Sequence, residues 1–477
     1  VHMSRQPLHL QNNNIANLED NVFSVLKNLT QLYLQNNKLT ALNMALINLK
    51  QLKDLDLSHN RISSLSGYET NRLISIERLN MSNNMIKIIE SNCFNQAFNL
   101  ESLDLENNNI TSPIVNLLFM NNSKLTYLNL YNNNISRIQE NAFQHNNLFY
   151  LNLDKNFISG EITQATFAGL KQVKNITLCK QNITSIHAYT FTEMTSLVNL
   201  NLSANNINVI DPLGFQNTSS LVVLDLSSNN IKYLNFLKDC LINLTEIYLN
   251  NNKIEVIQGY AFVNQTRLKK IDISNNRITT IEQFSLPLSN LQLLNISGNA
   301  ITGSVKSNVF SFAKYLRYLD LSNLNITRIE DMAFVDLPFL DLSNNRLTNI
   351  QLNGTFMKSL TALYLNNNNI SNITGVIPNS TAIMYLDVSH NNISDLTDEA
   401  FGTLKDLRVL RAFHNNIKKF NNPQVNLLSK LQDLDLSSNQ ISMINLSFFK
   451  ELVRIDISNN VLNNINANLL QNLDSLK

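Results

Sequence analysis

The side chains of this chain that could bind a metal, move a proton or attack a carbonyl are seven histidines, three cysteines and thirty-six acidic residues. A metal or acid–base site needs ligands that converge at short, characteristic spacings. His59, His390 and His414 instead each stand directly before an asparagine at the same place in a recurring unit, and the other histidines are scattered. Nine aspartates (Asp56, Asp104, Asp225, Asp272, Asp320, Asp341, Asp387, Asp435 and Asp456) would line up as an acidic stripe able to hold calcium or a cationic ligand. Each also fills one slot of that unit, so a solvated consensus face is the preferred reading. No glycine-rich phosphate loop, zinc spacing or nucleophile motif occurs. The sequence thus predicts no catalytic residue, no metal, no cofactor and no enzyme.

The unit that must position any binding residue is leucine-x-x-leucine-x-leucine-x-x-asparagine-x-isoleucine. It recurs about every 24 residues from Leu8 to Leu462, some twenty times, and is plainest from Leu221 to Ile231. A fixed period of that length marks a solenoid. Around leucine-x-leucine, apolar and polar residues alternate with the period of a strand. The leucines therefore point inward, and stacked repeats make one parallel sheet. The asparagine turns inward to bond backbone groups of adjacent turns that would otherwise be buried without partners. It recurs at Asn13, Asn37, Asn60, Asn84, Asn108, Asn133, Asn156, Asn205, Asn229, Asn252, Asn276, Asn299, Asn345, Asn368, Asn391, Asn415, Asn439 and Asn460. Gln181 takes this ladder position in the eighth repeat and still offers an amide; Leu324 takes it in the fourteenth and cannot. Because the following repeat is also about three residues short, an irregularity is expected at 316–350. Phe143, Phe167, Phe191, Phe262, Phe334 and Phe401 predict a second buried column in the later half of the repeats.

A 24-residue leucine-rich repeat with that phenylalanine resembles the typical class of animal extracellular receptors and adhesion proteins, Toll-like receptor ectodomains and chaoptin-type adhesion proteins among them. The resemblance covers nearly the whole chain. It implies an α/β leucine-rich repeat solenoid: a curved arc with one parallel β-sheet on the concave face and loops or short helical turns on the convex face. The stretch Asn156 to Ile162 instead resembles the plant-type repeat with its extra glycine. The cysteine clusters that flank the arrays of the animal families are absent.

The register runs through residues 1–477, which predicts a single array of about 20 repeats, uncapped at both ends and hence a fragment of a longer protein. Charged residues are 15%, the hydrophobic fraction is 44% and the net charge is +1. That balance suits a folded chain and offers no basic field for nucleic acid. Asparagine, about one residue in six, falls at fixed repeat positions rather than in low-complexity tracts. Cys93 and Cys240 are expected in the core and Cys179 on an outward strand position; three cysteines are too few for a disulfide framework. No apolar stretch is long enough to span a membrane, although a segment outside the chain could anchor it.

Asparagine-x-serine or threonine, the acceptor for N-linked glycans, occurs at Asn28, Asn80, Asn109, Asn121, Asn134, Asn175, Asn182, Asn201, Asn217, Asn243, Asn264, Asn295, Asn325, Asn353, Asn369, Asn372, Asn379, Asn392 and Asn445. That number modestly exceeds chance and, with the repeat class, points to an extracellular or cell-surface glycoprotein. Asn80, Asn175, Asn201 and Asn295 fall on outward strand positions, where glycans would cover the sheet. Two stretches remain bare: one with Tyr127, Tyr131 and Tyr150, the other with Tyr318, Phe339, Tyr364, Tyr385, Arg411 and Phe413. Aromatics with an arginine are what protein interfaces favour. The expected role is a non-enzymatic recognition module, in adhesion or as a receptor ectodomain, whose partner is a protein ligand or a second chain, a homodimer included. The alternative is an intracellular leucine-rich repeat scaffold or regulatory protein.

Overall fold

The computed structural model describes residues 7–70, 72–144, 146–238, 240–281, 286, 289–306, 309–310, 313–330, 333–334, 336–348, 350, 357–373, 382–396, 404–420, 428–465, 471 and 473–477. They fall into two compact units, residues 1–247 and 248–477. Both are solenoids of parallel strands. In the first, Leu8–His9, Gln31–Tyr33, Asp54–Asp56, Arg78–Asn80, Ser102–Asp104, Tyr127–Asn129, Tyr150–Asn152, Asn175–Thr177, Asn199–Asn201 and Val223–Asp225 pair in chain order. In the second, Lys270–Asp272, Leu293–Asn295, Tyr318–Asp320, Phe339–Asp341, Ala362–Tyr364, Tyr385–Asp387, Val409–Arg411, Asp433–Asp435 and Arg454–Asp456 do the same. Leucine or isoleucine stands opposite its counterpart in each rung, as in Leu103–Leu128–Leu151. Each such leucine, fully buried, contributes about 1.5–3 kcal/mol.

The ladder asparagine does what its position predicts. Asn229 donates from Nδ2 to the carbonyls of Leu202, one turn earlier, and of Leu226, both at 3.0 Å. Its Oδ1 accepts the Ile207 N–H at 3.0 Å. The same bonds link turns at Asn37, Asn60, Asn84, Asn108, Asn133, Asn156 and Asn205 in the first unit. They recur at Asn276, Asn299, Asn345, Asn368, Asn391, Asn415, Asn439 and Asn460 in the second. Gln181 keeps the bonds between turns, accepting from Ile158 at 3.0 Å and donating to Leu153 at 2.6 Å, and its own-turn bond goes to Cys179 at 3.3 Å. Leu324 is simply buried apolar surface, and the Leu321 carbonyl of its own turn is taken by Asn345 at 2.9 Å.

The residue ahead of each ladder position has a positive φ, between 50° and 57° at Asn36, His59, Asn83, Lys155, Ser228, His390 and His414. Outside glycine, asparagine enters this left-handed region most readily, which accounts for runs such as Asn132-Asn133. The three histidines predicted to be structural occupy this bend.

Phe143, Phe167, Phe191, Phe262 and Phe334 are buried as expected, while Phe401 lies outside the described residues. Phe94, Phe119, Phe215, Phe310, Phe420 and Phe449 extend the column, with ring centroids 5.3–6.1 Å apart in stacked pairs such as Phe191–Phe215 and Phe420–Phe449. Helix is nearly absent: the described residues hold one four-residue helix, Gly67–Thr70, and the 3-10 turns Gln164–Thr166 and Asn235–Leu237. Short second strands take its place. Ser159–Ile162 pairs with Asn182–Ile186, and Thr302–Val305 with Asn325–Ile329. Both pairs shift register just after a glycine with positive φ, Gly160 at 84° and Gly303 at 83°.

Candidate recognition surface

Except at Arg454–Asp456, where Ile455 is half-buried, each three-residue strand buries its central side chain and places the first and third on the open face of the sheet. Adjacent strands lie about 4.8 Å apart, so aromatic residues in neighbouring outward slots come into ring contact.

In the first unit Tyr127 and Tyr150 stack at 4.9 Å with planes 5° apart. Tyr131, just beyond its strand, does not join them; the ammonium of Lys155 sits 4.8 Å above its ring. Burial pushes the Tyr127 hydroxyl up to about 12. Elsewhere on this face Arg78 pairs with Asp54 beside a shallow depression of about 210 Å³ lined by Tyr33, Asp56, Asn80 and Asp104.

The second unit carries a longer series. Tyr318 stacks on Phe339 at 4.2 Å, while Phe339–Tyr364 at 5.2 Å and Tyr364–Tyr385 at 4.7 Å are tilted contacts, with planes 42° and 32° apart. Tyr318, Phe339 and Tyr385 occupy first slots and Tyr364 a third slot. The first slot of the Tyr364 strand is Ala362, opposite both Phe339 and Tyr385. A methyl group there leaves the space into which the Tyr364 ring tilts, which keeps the series unbroken. Arg411 continues it on the next strand but one slot over, opposite Asp387. Its guanidinium is fixed by Asp433 at 2.5 Å, which the repeat pattern had not singled out, and by the stripe aspartate Asp435 at 3.6 Å. Burial raises the hydroxyls of Tyr318 and Tyr385 to about 12, with Arg411 pulling the latter partly back. All three phenols of the row are therefore protonated donors at neutral pH. Phe413 stands apart from the row, edge-on to His390 at 5.0 Å, and His390 in turn stacks on His414 at 4.5 Å.

All nine stripe aspartates have one structural duty in common. The Oδ1 of each accepts the backbone N–H two residues on, at 2.8–3.1 Å, closing the bend that ends the strand. Asparagine does the same at Asn80, Asn129, Asn201 and Asn295. Among the described residues no group of three or more histidine, cysteine or acidic side chains could hold a metal. Burial first, then neighbouring carboxylates, raise Asp104 and Asp341 above the usual carboxylate range; burial also raises Asp387.

The acceptor asparagines divide by surroundings. Asn28, Asn109, Asn134, Asn182, Asn217, Asn264, Asn369, Asn372 and Asn392 are exposed. Asn80, Asn175, Asn201 and Asn295 lie half-buried on the strand face, and Asn121, Asn243, Asn325 and Asn445 are half-buried elsewhere. Nδ2 bonds within the fold engage Asn121 with Asn95, Asn217 with Thr192 and Asn243 with Ser219. Asn353 and Asn379 lie outside the described residues. Cys93 and Cys240 are buried; Cys179 is half-buried just past its strand, donating its backbone N–H to Asp154 at 2.6 Å. No helix among the described residues is long and apolar enough to cross a membrane.

A stack of leucine-rich turns that exposes one face of a parallel sheet defines a repeat protein built around a surface. The leucine rich repeat family model matches residues 6–62, 50–110, 98–158, 158–207, 171–231, 242–301, 289–347, 358–417 and 381–441, and the chain belongs to that family. Lumican from Gallus gallus is 33% identical over 163 residues, 33% of this chain and 46% of lumican. The chain thus spans about half the length of the curated relatives it matches. Among solved structures, the Drosophila Toll–Spatzle complex aligns over 89% of this chain and 56% of that one, with TM-score 0.68 and 21% identity. The plant peptide hormone receptor RGFR1 in complex with RGF2 aligns over 95% and 81%, with TM-score 0.59 and 20% identity. At such identities the structural likeness shows the fold.

Proposed function

We propose that the chain is a non-enzymatic recognition module, part of an extracellular receptor or adhesion protein, that takes a protein ligand on the face from Tyr318 to Arg411. The observation that carries this reading is the four-ring row closed by Arg411. Half-buried aromatics beside a fixed arginine are the residues in which binding energy concentrates. The Toll and RGFR1 structures hold Spatzle and RGF2, which supports a protein or peptide as ligand on such a fold and an innate-immune or hormone-receptor setting as well as adhesion. Nine exposed glycan acceptors support the extracellular location. The Tyr127–Tyr150 pair in the first unit is a smaller surface of the same kind, available to a second ligand contact or a second copy of the chain.

The test is one preparation read twice. Secreted from animal cells, the chain is expected to lose mass when N-linked glycans are removed enzymatically, and unchanged mass overturns the extracellular reading. The same material, cross-linked on live cells, identifies the partner by mass spectrometry. Combined Tyr364→Ala, Tyr385→Ala and Arg411→Ala is expected to weaken binding of that partner at least about ten-fold, about 1.4 kcal/mol. Unchanged binding excludes this face.

A further inference from the structure

The four rings are turned towards one another, one pair stacked and two tilted. Centroid separations of 4.2–5.2 Å leave no room for a guest between Tyr318, Phe339, Tyr364 and Tyr385. What meets a ligand is a ridge of ring edges, the positive part of the aromatic quadrupole, together with three phenolic O–H donors. Both attract carbonyl oxygens. A saccharide, which packs its C–H face on an open ring face, finds none within the row.

Beside the ridge run Asp320, Asp341 and Asp387. The eight outward strand positions from Tyr318 to Asp387 are Tyr318, Asp320, Phe339, Asp341, Ala362, Tyr364, Tyr385 and Asp387, so the strip holds three carboxylates and no cation. Arg411, on the strand that follows, is committed to Asp433 and Asp435. Arg317 and Arg408 sit one residue ahead of strands, outside the strip, and both are exposed. Burial holds Asp341 and Asp387 above the usual carboxylate range although serine hydroxyls and N–H groups bond them. Arg411 and His390 act on Asp387, whereas the strip itself supplies no cation to Asp320 or Asp341, where a partner could bring one.

We infer that this face accepts an extended protein segment bearing lysine or arginine side chains, which seat their cations on Asp320, Asp341 and Asp387 while its backbone carbonyls meet the ring edges and phenols. The inference rests on the reading of this face as the ligand surface and adds the chemistry of the ligand. The dimensions agree. The three carboxylates span three strand spacings, about 14 Å, the reach of about four extended residues.

Three fluorescent dodecapeptides that alternate threonine with lysine, glutamine or glutamate provide the test, read by fluorescence polarisation. The lysine peptide is expected to bind about ten-fold or more tighter than the glutamine peptide, and the glutamate peptide weakest. Combined Asp320→Asn, Asp341→Asn and Asp387→Asn is expected to bring the lysine peptide down to the level of the glutamine one. Asparagine already fills this slot at Asn295 with the same bond to the Ser297 N–H, so that variant changes charge and leaves the fold intact. Equal binding of the three peptides, no binding of any, or a lysine preference that survives in the asparagine variant overturns the inference. The two readings fail separately. If the lysine preference is absent but the cross-linked partner still requires Tyr364 and Tyr385, the ligand chemistry is wrong and the surface stands. If that partner ignores both tyrosines, the surface itself is wrong.

Discussion

At the residue scale the ladder asparagine converts a sequence letter most directly into stability. The amide of Asn229 satisfies the Leu202 and Leu226 carbonyls and the Ile207 N–H, none of which reaches water. Asn229→Ala takes from the Ile207 N–H its bond to Oδ1, at about 1–3 kcal/mol if it stays unpaired, whereas the Leu202 carbonyl keeps the Asn205 amide at 3.0 Å. We expect a total loss of about 1–3 kcal/mol and faster hydrogen exchange at the Ile207 amide, with Asn206→Ala, an exposed neighbour, as control. Equal protection at Ile207 in both variants would refute the role. Such positions are legible in sequence because the repeat aligns each with its counterparts about 24 residues away. The aspartate slot is legible for the same reason, and its shared bond two residues on accounts for its uniformity. The row at Tyr318 to Tyr385 is legible only in part. Slot numbers put its members on one face, but the tilt of Tyr364 into the gap above Ala362 depends on side-chain angles that no spacing encodes. Phe413 shows the converse, since a neighbouring slot did not suffice to bring it into the row when His390 offered a closer contact.

At the scale of elements, the strands, their parallel order and the phenylalanine column follow from the repeat, whereas the second strands do not. They form in the later halves of turns, where the sequence varies most, and only the extra glycine of Ile158-Ser159-Gly160 and Ile301-Thr302-Gly303 marks two of them. Both glycines bend the chain where the partner strand carries one residue more, Thr184 or Thr327. Both also lie just before a turn whose ladder residue is not asparagine, Gln181 or Leu324. The glycines divide by what surrounds them. A Cβ on Gly160 meets nothing within 4 Å, so Gly160→Ala costs only left-handed backbone strain, about 1–2 kcal/mol. A Cβ on Gly169, at φ 94°, falls 2.4 Å from the Cα of Gln144 and 2.7 Å from the Phe143 carbonyl, both backbone. Gly169→Ala is expected to destabilise by clearly more than Gly160→Ala in urea unfolding, and the reverse order would contradict the geometry.

At the scale of the whole molecule a formal net charge of +1 conceals an uneven distribution of carboxylates. Burial raises Asp104, Asp154, Asp341 and Asp387 above their ordinary value of 3.8, with like charges adding to the first and third. Against them, Asp54 is lowered, since the Arg78 and Gln31 bonds together outweigh its burial, and Asp456 is lowered by its bonds to Ser458. A carboxylate raised on folding binds protons more readily in the native than in the unfolded chain. Its ionisation therefore costs stability as pH rises from 3.8 through the raised value, and stability returns as pH falls through that window. Asp54 and Asp456 act oppositely but only below 3.8, where their lowered values lie. Between neutral pH and about 4 the raised group governs, so this protein should resist mild acid instead of losing its fold through it. The expected result is a thermal midpoint, followed by circular dichroism, at about pH 5 no lower than at about pH 7.5. Combined Asp341→Asn and Asp387→Asn should raise the midpoint near neutral pH and flatten the profile, because the bends keep their acceptor and lose only the charge. A midpoint that falls steadily from neutral pH to about 5 in the unmodified chain would show that the folded state binds fewer protons than the unfolded one there, which contradicts raised carboxylates at Asp341 and Asp387.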